Sequence, residues 1–334
     1  MNKGTILKSD YIEKLKELGI GSLYIEENEK KRKIIKRLSK EEVDILRLEI
    51  KEECKIKVKA ILEKHVYKKS HELASMCEVA EDIIGEILVD ENISDKIIEV
   101  KAENGDLYSH LVNVCGLATL LALKLGEPIE FVKDIATGCL LHDIGFRFIT
   151  VPYLDMEINT LSKNQQEEYR KHVIYGYDSL QNEEWITTTQ KDIILFHHEM
   201  ENGSGYPLKL GSTQIPRGVK IVNVCNAFDE LISGVGCKGV SLQEAIEFIR
   251  INKKIMFDAD VAEEFLKMIV EYPVGDVVKT NEGEVGRVIR QNKSFMDRPV
   301  LKVIKDTKGN IIGHEKEVDL LKLLSVFIVE VLDE

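Results

Sequence analysis

Two doublets of metal-capable residues lie within one long run of predicted helices. His142-Asp143 closes one helical segment and His197-His198 closes a later one. Both belong to a stretch from residue 93 to residue 271 in which apolar residues recur at helical spacing. Consecutive side chains diverge around a helix, so the two members of a doublet can reach different ions. The stretch therefore predicts a helical bundle that can hold more than one metal ion.

Five of the eight histidines fall in this region, each on or at the end of a predicted helix: His110, His142, His172, His197 and His198. A lone histidine is most often a core residue whose ring nitrogens are satisfied by hydrogen bonds. Five are harder to explain in that way, because neutral imidazoles that converge between helices commonly hold transition metals. Asp106, four residues before His110, could serve the same ion or form an ordinary surface pair.

Charge, hydropathy and cysteine usage limit the function classes that remain. A formal net charge of -12 repels a polyanion and argues against double-stranded nucleic acid as a partner. The longest apolar run, residues 117–123, is far shorter than the roughly 20 residues of a membrane span, so none is expected. No secretory leader is recognisable, so the cytoplasm is the expected compartment. The six cysteines show no CxxC pairing and are expected to be reduced and mostly buried.

We expect a mainly α fold with three regions. Residues 1–92 should form a small α/β cap with long helices, residues 93–271 the helical metal-binding domain, and residues 272–334 a small β domain. The long helix near residue 40 could pack on the next helix or mediate a homodimer. Helices are expected near residues 40–66, 70–88, 93–101, 106–125, 129–143, 164–182, 188–199, 215–233, 241–252 and 258–271.

The motifs HDIGF, from His142, and HHEMENGSGYP, from His197, resemble those of the HD-GYP family, a branch of the HD metal-dependent phosphohydrolases. The resemblance runs from about Asp106 to Phe265. It implies an HD-type helical bundle that binds two or three divalent ions, with iron or manganese foremost, and hydrolyses a cyclic dinucleotide, cyclic di-GMP. The metal ligands that it implies are Asp106, His110, His142, Asp143, His172, His197, His198 and Asn226.

The implied chemistry assigns a role to each group of residues. His142 and Asp143 form the catalytic pair, since ions held there lower the pKa of a shared water that attacks the phosphodiester. Glu199 could orient an imidazole or face solvent. The glycines of the GSGYP loop permit close backbone approach to a ligand. The positions assigned to the substrate are Gly203, Gly205, Tyr206, Asp229, Lys238 and Arg147.

Three departures from the family pattern point to reduced activity. Phe146 stands where the family usually has a Lys, although Arg147 could compensate. Asn226 stands where a metal-binding Asp is usual, and its amide oxygen brings no negative charge. Val235 replaces an Arg in the segment after that helix, which leaves only Lys238. The alternative to a phosphodiesterase is therefore a degenerate relative that binds a nucleotide or a partner protein, and a third reading is hydrolysis of another nucleotide.

Overall fold

The computed structural model describes residues 40–65, 71–88, 106–154, 156–292, 295–312 and 316–332. The chain divides into two units, residues 1–50 and residues 51–334, and apart from the start of the first helix every feature discussed below lies in the second unit. The elements predicted before residue 40 and the helix predicted near residues 93–101 lie outside the described residues.

The described residues are mainly helical, as predicted. Their ten α-helices are α1 (Lys40–His65), α2 (Met76–Leu88), α3 (Leu107–Lys124), α4 (Ile129–Leu141), α5 (Lys163–Arg170), α6 (His172–Leu180), α7 (Thr188–Phe196), α8 (Arg217–Ser233), α9 (Leu242–Asn252) and α10 (Ala259–Met268). Short 3-10 helices cover His71–Ser75, Ile144–Phe148 and Ile158–Thr160. Capping boxes begin α5, α7 and α9, which explains why the sequence predicts those starts within a residue or two.

Three of the predicted helices differ from the observed ones at the histidine motifs. The helix expected over 188–199 ends at Phe196, before the His197-His198 doublet. The helix expected over 164–182 is two helices, because the chain turns at Lys171 and its N–H donates to the carbonyl of Glu168 (3.1 Å). Helix α4 ends before the HD doublet, and Asp143 instead starts the 3-10 helix. A Cβ at Gly145 would lie 1.8 Å from the carbonyl oxygen of His172, so this glycine lets the turn pack directly on α6.

Helix α3 is the central element of the helical domain and packs against α2, α4, α8 and α10. It is the one helix of the described residues that is long and apolar enough to cross a membrane. However, 67% of that segment is buried inside the protein, and a core helix passes the same test. All six cysteines are free, and those at positions 54, 115, 139 and 225 are buried, which confirms the prediction.

The C-terminal region forms a five-stranded antiparallel sheet, which confirms the predicted β domain. Its strands are β1 (Val277–Thr280), β2 (Val285–Asn292), β3 (Phe295–Lys305), β4 (Glu317–Asp319) and β5 (Ile328–Leu332), in the order β4-β3-β2-β1-β5. Alternating side chains of the strands, such as Val278, Val288 and Leu301, give the sheet its own hydrophobic core. Tyr272, which follows the last helix, packs into the same core and joins the sheet to the helical domain.

Candidate metal centre

Five imidazoles and one carboxylate converge where α3, α4, α6 and α7 meet, and all six side chains are buried. They form two groups that share Asp143. The first cluster is His110, His142 and Asp143, and the second cluster is Asp143, His172, His197 and His198. Within each cluster, the candidate ligand atoms lie within 4.8 Å of one another.

The two oxygens of Asp143 face different clusters. Its Oδ2 lies 3.4 Å from Nε2 of His110 and 3.2 Å from Nε2 of His142. Its Oδ1 lies 3.3 Å from Nε2 of both His172 and His197. Neither oxygen has a hydrogen-bond partner in the described part of the chain, although the residue is fully buried. A buried carboxylate without such partners is costly, so its environment favours a positive ion on each side.

Hydrogen bonds at Nδ1 fix the tautomers of the rings. Three rings donate from Nδ1 to a preceding backbone carbonyl: His142 to Cys139 at 2.7 Å, His172 to Tyr169 at 2.7 Å, and His197 to Ile194 at 3.1 Å. Because a carbonyl can only accept, the proton lies on Nδ1, and the neutral ring presents a lone pair at Nε2. All three lone pairs therefore point toward Asp143.

The Nε2 atoms also lie at ligand-like separations from one another. His110 and His142 approach to 3.3 Å through Nε2, and so do His172 and His197. Nitrogens bound at about 2.1 Å to one ion are roughly 3.0–3.4 Å apart in octahedral or tetrahedral geometry. Facing lone pairs repel each other unless a cation or a proton lies between them. The buried cluster therefore fits divalent metal binding.

Burial and charge give the two clusters different protonation. Burial lowers the pKa of His197 to about 4 and lowers that of His198 as well, so both rings are neutral near pH 7. For His110, burial acts in the same direction, but the neighbouring carboxylates of Asp143 and Asp229 outweigh it and raise the pKa to about 10. A cation that takes Nε2 of His110 must therefore displace a proton, whereas the rings of His197 and His198 are already neutral.

Helix α8 places two of the predicted residues beside the first cluster. Oδ1 of Asn226 lies 3.1 Å from Nε2 of His142, so the amide oxygen stands among the candidate ligand atoms. Asp229 was expected to bind substrate, but it lies behind His110, with Oδ2 2.7 Å from Nδ1. The structure thus corrects its role: Asp229 orients the imidazole and increases its basicity.

Glu230 is a member of the site that sequence reasoning missed. Its Oε1 lies 3.6 Å from Nε2 of His198, on the side of the second cluster. Burial raises the pKa of this carboxyl to about 8, which shows how unfavourable a negative charge is there without a nearby cation. The sequence did hold a signal, because residues four apart on a helix share a face and Asn226 already pointed inward.

Asp106 is not brought into the cluster, and the structure corrects the expectation that it shares an ion with His110. It is the N-cap of α3, where its side chain accepts from the N–H of Ser109 (2.9 Å) and pairs with Lys55 (2.8 Å). Burial opposes ionisation of this carboxyl, but these partners lower its pKa. The carboxylate is 46% exposed and serves as a helix cap.

The GSGYP loop forms one wall beside the second cluster. A Cβ at Gly205 would lie 2.4 Å from the carbonyl oxygen of His198, so only glycine allows this close approach. The ring of Tyr206 stacks on the His198 ring, with the centroids 4.6 Å apart. Gly203, at a φ of +72°, forms the turn before them. The loop thus brings an aromatic side chain against a candidate ligand.

Glu199 neither orients an imidazole nor faces solvent, so both expectations for it are wrong. It is fully buried, and its carboxylate accepts hydrogen bonds from the backbone N–H groups of Leu208 (2.6 Å) and Leu210 (2.8 Å). These bonds fasten the end of the GSGYP loop to the residue next to His198. Glu199 therefore acts on the shape of the pocket wall.

The three departures from the family pattern have different structural outcomes. Phe146 is buried, and its ring stacks on His172, with the centroids 4.1 Å apart, so it steadies a candidate ligand from its face. Asn226 lies beside His142 in the first cluster. Val235 is buried and forms an isolated β-bridge with Leu154. A Cβ at the following residue, Gly236, would lie 2.2 Å from the hydroxyl oxygen of Tyr169.

The basic residues assigned to the substrate are not gathered at the centre. Arg147 lies near Tyr108 and Glu63, burial lowers its pKa, and its Nη1 has no hydrogen-bond partner among the described residues. Lys238 is exposed on the loop after α8. A cation that sequence reasoning missed lies nearer: the guanidinium of Arg170 sits over the Tyr206 ring, 5.6 Å from its centroid.

Comparison with known proteins agrees with this fold. The family model described as HD domain matches residues 92–261, and one described as a KOW domain associated with HD domain matches residues 277–334. The chain therefore belongs to the HD domain family. The solved structure of Bd1817, an HDG"Y"P protein from Bdellovibrio bacteriovorus, has the same fold, with a TM-score of 0.55 and 22% identity over 65% of this chain and 69% of that one.

Curated relatives named as cyclic di-GMP phosphodiesterases agree with the resemblance to HD-GYP proteins. A cyclic di-GMP phosphodiesterase of Pseudomonas aeruginosa is 29% identical over 74% of this chain and 59% of its own length. A cyclic di-GMP phosphodiesterase of Thermotoga maritima is 29% identical over 61% of this chain and 54% of its own length. The chain thus spans little more than half the length of these relatives.

Proposed function

We propose that the chain is a metal-dependent phosphodiesterase that hydrolyses a cyclic dinucleotide, with cyclic di-GMP as the substrate. The observation that carries this proposal is the buried carboxylate of Asp143, whose two oxygens face separate sets of Nε2 atoms. Paired metal sites with a shared ligand are well suited to phosphodiester hydrolysis. The choice of cyclic di-GMP as the substrate is supported by relatives named as cyclic di-GMP phosphodiesterases.

We propose two divalent ions, one for each cluster, with Asp143 between them. The ligands of the first cluster are His110, His142 and the Asn226 oxygen, and those of the second are His172, His197 and His198. Imidazole and carboxylate together suit iron or manganese. When bound, such ions lower the pKa of a water and neutralise the charge that develops on phosphate oxygens.

The residues of the chain perform the remaining tasks. Asp143 and His142 hold the reacting side of the centre, and the carbonyl bond to Nδ1 of His142 keeps its ring in one tautomer. Asp229 holds His110 in the same way from behind. Phe146 and Tyr206 pack on ligand rings and keep water from their apolar faces. The geometry of the centre is therefore set before a ligand arrives.

We propose that the substrate lies along the GSGYP wall. There the ring of Tyr206 can stack on a base, and Gly205 allows the ligand to approach the backbone closely. Gly203 shapes the turn of this wall. Arg170 lies over the same tyrosine and is placed to meet a phosphate. Direct contacts from Arg147 and Lys238 stay predictions from the sequence.

The competing function is that of a non-catalytic relative that binds a nucleotide or a partner. Phe146 occupies the position after HDIG with an apolar ring, and Asn226 supplies a neutral oxygen. Both reduce the positive or bridging groups available for catalysis. However, the five imidazoles and Asp143 converge as a metal centre requires, so we favour the enzyme.

The test is hydrolysis of cyclic di-GMP by the full chain loaded with Mn²⁺ or Fe²⁺, followed by chromatography of the products. We expect turnover by the wild type and a loss of at least about 100-fold in Asp143→Asn, because both clusters lose their shared charge. A wild type that binds metal but hydrolyses neither cyclic di-GMP nor an aryl phosphodiester would refute the enzyme and favour the binding protein. A homodimer and a cytoplasmic location remain predictions, and sedimentation tests the first.

A further inference from the structure

Helix α8 presents two polar side chains to the centre one turn apart, and they differ in charge. Asn226 places a neutral amide oxygen 3.1 Å from Nε2 of His142, in the first cluster. Glu230 places a carboxylate oxygen 3.6 Å from Nε2 of His198, in the second cluster. The helix therefore supplies an oxygen to each side of Asp143, but only the oxygen on the second side belongs to a group that can ionise.

The two facing atoms of Glu230 and His198 both lack a partner. Oε1 of Glu230 and Nε2 of His198 are buried and have no hydrogen-bond partner within the described ranges. At 3.6 Å they are too far apart to hydrogen-bond to each other. A buried polar atom without a partner costs about 1–3 kcal/mol of stability. Two such atoms that face each other therefore favour a group that binds to both of them.

A divalent cation satisfies both atoms. Two ligand atoms that are each about 2.1 Å from one ion can be roughly 3.0–4.2 Å apart, depending on the angle at the ion, and 3.6 Å lies within that range. Water would satisfy the two atoms equally well, but it would leave the lone pairs of His172 and His197 facing each other at 3.3 Å. A cation at the second cluster removes that repulsion and lies beside Glu230, although this carboxylate stands outside the four residues whose ligand atoms lie within 4.8 Å of one another.

We infer that Glu230 is a metal ligand of the second cluster. It supplies from α8 a carboxylate that Asn226, one turn earlier, does not supply to the first. The inference rests on the metal centre of the proposed function but not on turnover. It assigns the second cluster an ion held by Asp143, His172, His197 and His198, which the Glu230 carboxylate, 3.6 Å from Nε2 of His198, reaches by a small shift of its side chain.

The experiment is a titration of the metal-free full chain with Mn²⁺, with bound and free ion distinguished by electron paramagnetic resonance. We expect two Mn²⁺ sites in the wild type. In Glu230→Gln, the tighter of these two sites should lose at least about 10- to 100-fold in affinity, and the other site should be unchanged. Glutamine keeps the size of the side chain and its capacity to accept a hydrogen bond. The variant therefore removes the charge and little else.

Glu127→Gln is the matched control, because Glu127 and Glu230 are both 17% exposed and Glu127 pairs with Arg217 away from the centre. It should bind Mn²⁺ as the wild type does. Two unchanged sites in Glu230→Gln would overturn the inference and leave the proposed function standing, whereas a wild type without bound Mn²⁺ would overturn both. If Glu230→Gln does not fold, anomalous scattering from Mn²⁺ in wild-type crystals decides: a peak in contact with Glu230 supports the inference, and its absence there refutes it.

Discussion

The two clusters on either side of Asp143 are built from the same ligand type but are prepared differently for a cation. In the second cluster, burial keeps His197 and His198 neutral, and a carboxylate from α8 faces the site. In the first, two carboxylates raise the pKa of His110 to about 10, and α8 offers only an amide. His110, with a pKa of about 10, gives up its proton to a metal ion less readily at neutral pH than Glu230, with a pKa of about 8, so we expect the second cluster to fill first.

This difference shows how a centre can keep its shape while the balance between its halves changes. The geometry depends on rings fixed by backbone carbonyls, which a change at position 226 leaves in place. The affinity depends on charge, which the helix α8 distributes unevenly. A departure from a family pattern at one ligand position therefore predicts an unequal pair of sites and not a lost centre.

The largest effect should come from Asp143→Asn, which removes the charge that both clusters share. We expect tight Mn²⁺ binding to be lost at both sites, since a neutral amide cannot bridge two cations well. The fold should persist, because the side chain keeps its size in a buried site. Metal analysis after gel filtration measures the effect, and one site retained at full affinity would break the bridging assignment.

Asn226→Asp should have the next largest effect and should make the two clusters more alike. A carboxylate beside His142 adds negative charge to the first cluster, so its Mn²⁺ affinity should rise by about 10- to 100-fold, the size typical of changes around a metal site. Calorimetric titration at neutral pH measures this. An affinity that stays the same at the first cluster would show that position 226 does not touch the ion.

Asp106→Ala should have the smallest effect and separates a helix cap from a metal ligand. Loss of an N-cap costs about 1 kcal/mol of stability, and the Lys55 pair on this half-exposed carboxylate adds little. Urea unfolding measures the stability, and the same sample gives its Mn²⁺ content. A loss of bound Mn²⁺ in this variant would contradict the position of Asp106 outside the cluster.

The sequence predicted the parts of this molecule that depend on local pattern. Apolar spacing and capping residues located most of the helices, and the His doublets located the buried centre. Asp106 shows where such reasoning fails, because an acid four residues before a histidine at a helix start is compatible with either a cap or a ligand. Only the direction of the side chain, toward Lys55, separates them.

The remaining errors concern contacts between distant segments. The packing of Gly145 on His172 depends on how α4 meets α6, and no local signal in the HD motif reports it. Glu230 was missed because the family pattern concerns positions 226 and 229 and does not require an acid at position 230. Its role follows from its distance to His198, which is set by the packing of α8 against α7.

The most direct test of a two-ion centre bridged by Asp143 is the position of bound metal in crystals of the full chain grown with Mn²⁺, located by anomalous scattering. We expect two peaks on opposite sides of Asp143, one in contact with Oδ2 and one with Oδ1, and higher occupancy in the second cluster when Mn²⁺ is limiting. A single peak, or peaks that do not contact Asp143, would contradict it.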